Sequence, residues 1–125
     1  MIKNSLETNN LISSKNVILI YNVLRALGLN TTLKGTKLLN KAIQIVINSN
    51  DEFIVIEDVY NQLTLNFKSL NGIQIRNAIK YAIDNRDEQK SKNNFEQIFG
   101  YQYDDYYFTN KILIEEIARV VKYNC

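Results

Sequence analysis

Residues 71–85 read Asn-Gly-Ile-Gln-Ile-Arg-Asn-Ala-Ile-Lys-Tyr-Ala-Ile-Asp-Asn, and this stretch decides the fold. Ile75, Ala78, Ile79, Ala82 and Ile83 recur at helical spacing, so they form one stripe that must be buried. Gln74, Arg76, Asn77, Lys80 and Tyr81 fall on the remaining surface. Just upstream, residues 57–66 carry a second, shorter helical pattern, joined to the first by the turn Phe67-Lys68-Ser69-Leu70. A helix, a short turn and a helix with an outward amide-and-cation face is the arrangement that reads bases in a DNA major groove.

The flanking sequence is helical too. Val17, Leu19, Ile20, Val23, Leu24 and Leu27 give a helical pattern that starts near Ser14 and stops at Gly28. Leu29-Asn30-Thr31-Thr32 is a linker with good capping residues. A second helix is expected over 33–48, with Leu38, Leu39, Ala42, Ile43, Val46 and Ile47 inward and Lys34, Lys37 and Lys41 along its polar face. Phe53-Ile54-Val55-Ile56 has strand propensity but no partner strand, and reads as a loop or a lead-in to the next helix. Residues 86–92 read as a solvated mixed-charge link, 94–99 as a short helix stopped by Gly100, and 101–107 as an acidic, aromatic loop. A last helix is expected over 110–122, with Ile114, Ile117, Ala118 and Val121 inward and Thr109 or Asn110 as its cap. The architecture is all-α, about six helices, with a polar, frayed segment over 1–13 and one domain over 14–125.

Composition narrows the function. The chain has 125 residues and is 46% hydrophobic, enough for a core without staples. Its net charge is only +2, so any phosphate-binding surface must be local. The single cysteine, Cys125, excludes an internal disulfide and a cysteine-based zinc site. With no histidine, the commonest general base is missing as well, and no metal or other cofactor is implied. No apolar run reaches the roughly 18 residues of a membrane span, and the N-terminus lacks the apolar core of a signal peptide, which points to the cytoplasm. Glu115 and Glu116 are adjacent and diverge on a helix, the serines and threonines lack a histidine base, and there is no phosphate-binding glycine loop. Catalysis is not expected, and no catalytic residue is assigned.

Several landmarks in order resemble one family. They are Leu27-Gly28, Leu33-Lys34-Gly35, Ala42-Ile43, then Tyr60, Leu63 and Phe67, then Ala78-Ile79-Lys80-Tyr81-Ala82-Ile83, Ile98-Phe99-Gly100 and Thr109-Asn110. Over residues 17–122 the chain resembles the C-terminal effector domain of the stage zero sporulation protein A, the master response regulator of spore-forming bacteria. The resemblance implies a six-helix, DNA-binding transcriptional regulator. In the family this domain follows a phosphorylated receiver and binds tandem DNA boxes as a head-to-tail dimer. The 125 residues are too few to include a receiver, so an effector domain without in-cis control is expected.

The chain departs from the family where bases are read. Family arginines fall where Gln74 and Asn77 stand, a glutamate where Arg76 stands and a histidine where Tyr81 stands. The basic, proline-containing loop before the last helix is replaced by Asp104-Asp105-Tyr106-Tyr107-Phe108. The family's target sequence therefore does not carry over.

The expected function is sequence-specific binding of double-stranded DNA. Gln74, Arg76, Asn77, Lys80 and Tyr81 are the candidate base contacts, since amides pair with adenine and cations with guanine or phosphate. Lys68 and Ser69, where the turn meets the recognition helix, are the candidate phosphate contacts, with Ser69 equally suited to capping that helix. Lys34 and Gly35 read as the entry to the second helix. The last helix, 110–122, is the candidate surface for homodimer pairing on tandem half-sites, because Ile112 and Leu113 lie beside its inward stripe. The alternative is a protein-interaction module that binds or antagonises a regulator without touching DNA. The electrostatics of the recognition-helix face separates the two.

Overall fold

The computed structural model describes residues 15–49 and 54–123. The polar segment 1–13, the expected helix start at Ser14, Phe53 and Cys125 lie outside the described residues. The all-α architecture is as expected: six α-helices, one 3-10 turn and no strand among the described residues. In chain order they are α1 (15–26), α2 (Lys34–Asn48), α3 (Ile56–Asn66), α4 (Gly72–Asp84), α5 (Glu88–Phe99), the 3-10 turn Asp105–Tyr107, and α6 (Asn110–Tyr123).

α1 ends as its sequence requires. The Leu29 N–H bonds back to the Leu24 carbonyl at 3.0 Å, and Gly28 adopts φ +94° between them. A side chain there would fail twice, because a Cβ would lie 2.2 Å from the Asp87 carbonyl oxygen. The Gly28 carbonyl in turn accepts the Asp87 N–H at 2.9 Å, tying the end of α1 to the start of α5. α2 is entered through the linker: Asn30 Oδ1 accepts the Thr32 N–H at 2.9 Å, and the buried Thr36 hydroxyl donates to the Asn30 carbonyl at 2.6 Å. Lys34, Lys37 and Lys41 are all exposed, as the helix pattern requires.

One core joins all six helices. Ile20, Leu24 and Leu27 of the first segment meet Leu38, Leu39, Ala42 and Ile43 of α2, Leu63 of α3, and Ile75, Ile79, Ala82 and Ile83 of α4. Phe95, Leu113, Ile114 and Ile117 close it from the other side. The α4 stripe is buried as read, except that Ala78 is half-buried. α4 packs against α2, α3 and α6. The α2 crossing is the tightest: a Cβ on Gly35 would lie 1.9 Å from the Ala78 carbonyl oxygen.

Two expectations are corrected. Residues 86–92 are not a solvated link, and the short helix at 94–99 is only the second half of α5. Asp87 caps that helix by accepting the Gln89 and Lys90 N–H groups, and Ser91, Phe95 and Phe99 recur every fourth residue on a buried face. Charged side chains at the other positions hid the period. Arg86 is half-buried, its side chain only 10% exposed. The second correction concerns Leu113, which is fully buried and not an exposed companion of Ile112. Positions 113, 114, 117, 118 and 121 all face the core, so the stripe of α6 is one residue wider than read.

Candidate nucleic-acid interface

α3 and α4 are joined by the compact turn 67–70, closed by a Leu70 N–H to Phe67 carbonyl bond of 2.9 Å. Asn71, not Ser69, caps α4. Its side-chain oxygen accepts the Gln74 N–H at 2.8 Å, and the Gln74 Oε1 accepts the Asn71 N–H at 2.9 Å. This reciprocal capping box sets the first turn of α4 rigidly. It also engages one of the two lone pairs of the Gln74 Oε1 and ties that side chain to the helix N-terminus. Lys68 and Ser69 are exposed in the turn immediately before the cap.

All five candidate base contacts, Gln74, Arg76, Asn77, Lys80 and Tyr81, are exposed on α4. They are not equivalent. Asn77 lies at the centre of the outward face, and its side chain makes no hydrogen bond among the described residues. Lys80 Nζ is paired with Asp84 Oδ2 at 2.8 Å, both side chains being more than half exposed. Such a pair is worth little in water and can open for another anion. Arg76 lies on the α3 flank, beside Tyr60 and Glu57. Tyr81 presents its ring to solvent, 60% exposed. Ile73 was not among the sequence candidates, yet it is 68% exposed in the first turn of the same face. The signal for it was its position two residues before Ile75, which puts it opposite the buried stripe.

α4 is braced at both ends. Asn110, the first residue of α6, donates from Nδ2 to the Tyr60 hydroxyl and to the Arg76 carbonyl, each at 3.0 Å. One side chain thus joins α3, α4 and α6. Burial pushes the Tyr60 phenol above its usual range, with the Asn110 bond opposing. Beyond the other end, the Arg86 guanidinium donates to the Ile83 carbonyl at 3.0 Å, to Ser91 Oγ at 2.9 Å and to the Tyr103 hydroxyl at 3.1 Å. It also lies 3.7 Å over the Phe108 ring. The loop 101–108 is therefore an aromatic cover over Phe95 and Phe99, with Tyr103, Tyr107 and Phe108 against the Phe95 ring. Its acidic groups are exposed and serve the loop itself: Asp105 accepts from the Tyr103 hydroxyl, and Asp104 Oδ1 accepts the Tyr106 N–H at 2.9 Å.

Charge is distributed unevenly. Residues 8–50 contain no aspartate or glutamate but carry Lys15, Arg25, Lys34, Lys37 and Lys41. Against a net charge of only +2, the rest of the chain is acidic on balance. Lys34, Lys37 and Lys41 project from the helix that is in closest contact with α4, and none has a carboxylate partner among the described residues. Among the described residues no cluster of side chains could hold a metal ion, and no helix is long and apolar enough to cross a membrane.

A braced helix with an outward amide face, set behind a capped turn in an all-α domain, defines a helix-turn-helix domain. Residues 20–121 match the family model described as Sporulation initiation factor Spo0A C terminal. The match spans most of the chain, and the chain belongs to that family. The family is one of DNA-binding effector domains of a sporulation regulator, a regulatory family and not an enzyme family. No curated protein and no solved structure matches.

Proposed function

We propose that the chain is a cytoplasmic, sequence-specific transcriptional regulator that reads the major groove of double-stranded DNA with α4. The observation that carries this reading is the face of α4 itself. Asn77 stands free at its centre, Gln74, Arg76, Lys80 and Tyr81 surround it, and the helix is fixed at both ends. An amide with both groups free can pair with adenine, and Arg76 and Lys80 supply guanine or phosphate contacts. Lys68 and Ser69, exposed where the turn meets α4, are the phosphate contacts of this reading. The lysines of α2, a helix packed against α4, add local positive charge that the net charge conceals.

Two copies pair on neighbouring half-sites. A single small domain grips few phosphates, so DNA-templated pairing supplies the remaining affinity. The part of α6 available for such pairing is Ile112, half-buried in a groove with Val46, Ile47 and Ile54, and not Leu113.

Binding measured by fluorescence anisotropy over a salt series tests the reading. Asn77→Ala should lower discrimination between sequences by about 1–3 kcal/mol. Lys68→Ala should weaken binding to all sequences alike and flatten the salt slope by about one. If both variants bind every duplex as the parent does, α4 does not read DNA. If the parent binds no duplex at all, the face serves a protein partner instead.

A further inference from the structure

We infer that the centre of the α4 face selects a T·A base pair, with Ile73 packed on the thymine methyl and Asn77 bonded to the adenine. This rests on α4 being the helix that enters the major groove. The first observation is the placement of Ile73. It is 68% exposed, although its neighbours in sequence along the apolar stripe, Ile75 and Ile79, are fully buried. Isolated exposed isoleucines are common on protein surfaces. This one stands in the first turn of the helix, where a groove-reading helix touches base edges. Ile73 and Asn77 are separated by four residues, so their side chains lie side by side on one face.

The second observation is the division of labour among the amides. A bidentate contact to adenine needs an oxygen that accepts from N6 and an N–H that donates to N7. Gln74 is held in the capping box at the helix N-terminus, one lone pair of its Oε1 accepting the Asn71 N–H at 2.9 Å, so it must leave or share that bond to meet an adenine edge. Asn77 has both groups free among the described residues. The apolar partner beside it then decides what can sit opposite. In the major groove the thymine methyl is the apolar feature of a base edge, and it accompanies adenine within the same pair. An isoleucine one turn before a free asparagine matches a pair that shows a methyl next to an N6/N7 edge. A G·C pair offers Ile73 no methyl, and guanine presents only acceptors, so no single base engages both the oxygen and the N–H of Asn77.

The test uses the 125-residue protein and chemically modified DNA, so the protein fold is untouched by the key change. A site is first selected from a random duplex pool. Each thymine is then replaced by uracil, which removes only the methyl group, and each adenine by 7-deazaadenine, which removes only the N7 acceptor. One thymine should prove sensitive, with affinity falling about fourfold, the factor for one buried methyl. In Ile73→Ala that thymine and uracil should bind alike. In Asn77→Ala the difference between adenine and 7-deazaadenine should vanish at the paired base. If a site is selected but no thymine is methyl-sensitive, or Ile73→Ala keeps the parent's thymine-to-uracil ratio, the inference is overturned while DNA reading by α4 stands. If no sequence is enriched, the inference falls together with the function on which it rests.

Discussion

Replacing Gly35 by alanine tests how the recognition helix is held in place. A Cβ at this position would lie 1.9 Å from the Ala78 carbonyl oxygen and 3.0 Å from the Ala82 Cβ. A carbon and a carbonyl oxygen in contact sit about 3.3–3.6 Å apart. α2 and α4 must therefore separate by more than about 1 Å at their crossing, given that contact distance. The obstacle is backbone, so no side-chain rotation relieves it. Overpacking of a core costs about 1–3 kcal/mol. Separation also loosens the contacts of Leu38, Ala42, Ile75 and Ile79, all fully buried, and a gap of about 0.5–1 Å forfeits a quarter to a half of each contact's attraction. The cost thus lies at the upper end of that range. Alanine's better helix propensity returns at most about 1 kcal/mol. The net loss is about 2 kcal/mol, which lowers the melting temperature by about 8 °C in a domain of this size. Urea unfolding followed by circular dichroism measures it. Gly72→Ala is the control, since its nearest neighbour would be the Tyr60 Cβ at 4.0 Å, in ordinary contact. It should leave stability unchanged or slightly raised. A Gly35→Ala protein with the parent's midpoint and slope would refute the close α2–α4 crossing.

Two further outcomes follow from burial. Leu113→Glu should abolish cooperative folding, because it places a carboxylate in the core. Ile112→Glu should keep the fold and reduce only cooperative binding to paired half-sites over a single one; native-like melting of Leu113→Glu would contradict the burial. The phenols of Tyr60 and Tyr103 are both raised, in each case first by desolvation. A raised phenol contributes stability that is complete below about pH 10 and lost as pH climbs through its folded value. Melting temperature should therefore fall in strong alkali, and Tyr60→Phe should lessen that fall while costing about 0.5–1.5 kcal/mol at neutral pH through the lost Asn110 bond. An alkaline profile identical to the parent's would exclude Tyr60 as a contributor.

Most of the fold is legible in the sequence, because burial of an amphipathic helix depends on period alone. Ile75, Ile79, Ala82 and Ile83 announce α4 and its buried side, and whatever lies opposite is thereby exposed. Gly28 announces the end of α1 for a reason equally local, its positive φ. The five outward candidates on α4 follow from the same geometry, and all are exposed. Tertiary structure decided what period cannot encode. The charged run 86–92 became the start of α5 because Phe95 supplied a buried centre, and Arg86 was drawn inward by Ser91, Tyr103 and the Phe108 ring. Leu113 is core because helices from two sides enclose it. A side chain at Gly35 is costly only because Ala78, far along the chain, presents its carbonyl there. A local pattern fixes which face of a helix is apolar; which partner meets that face, and which polar groups are spent in meeting it, depends on contacts between distant residues.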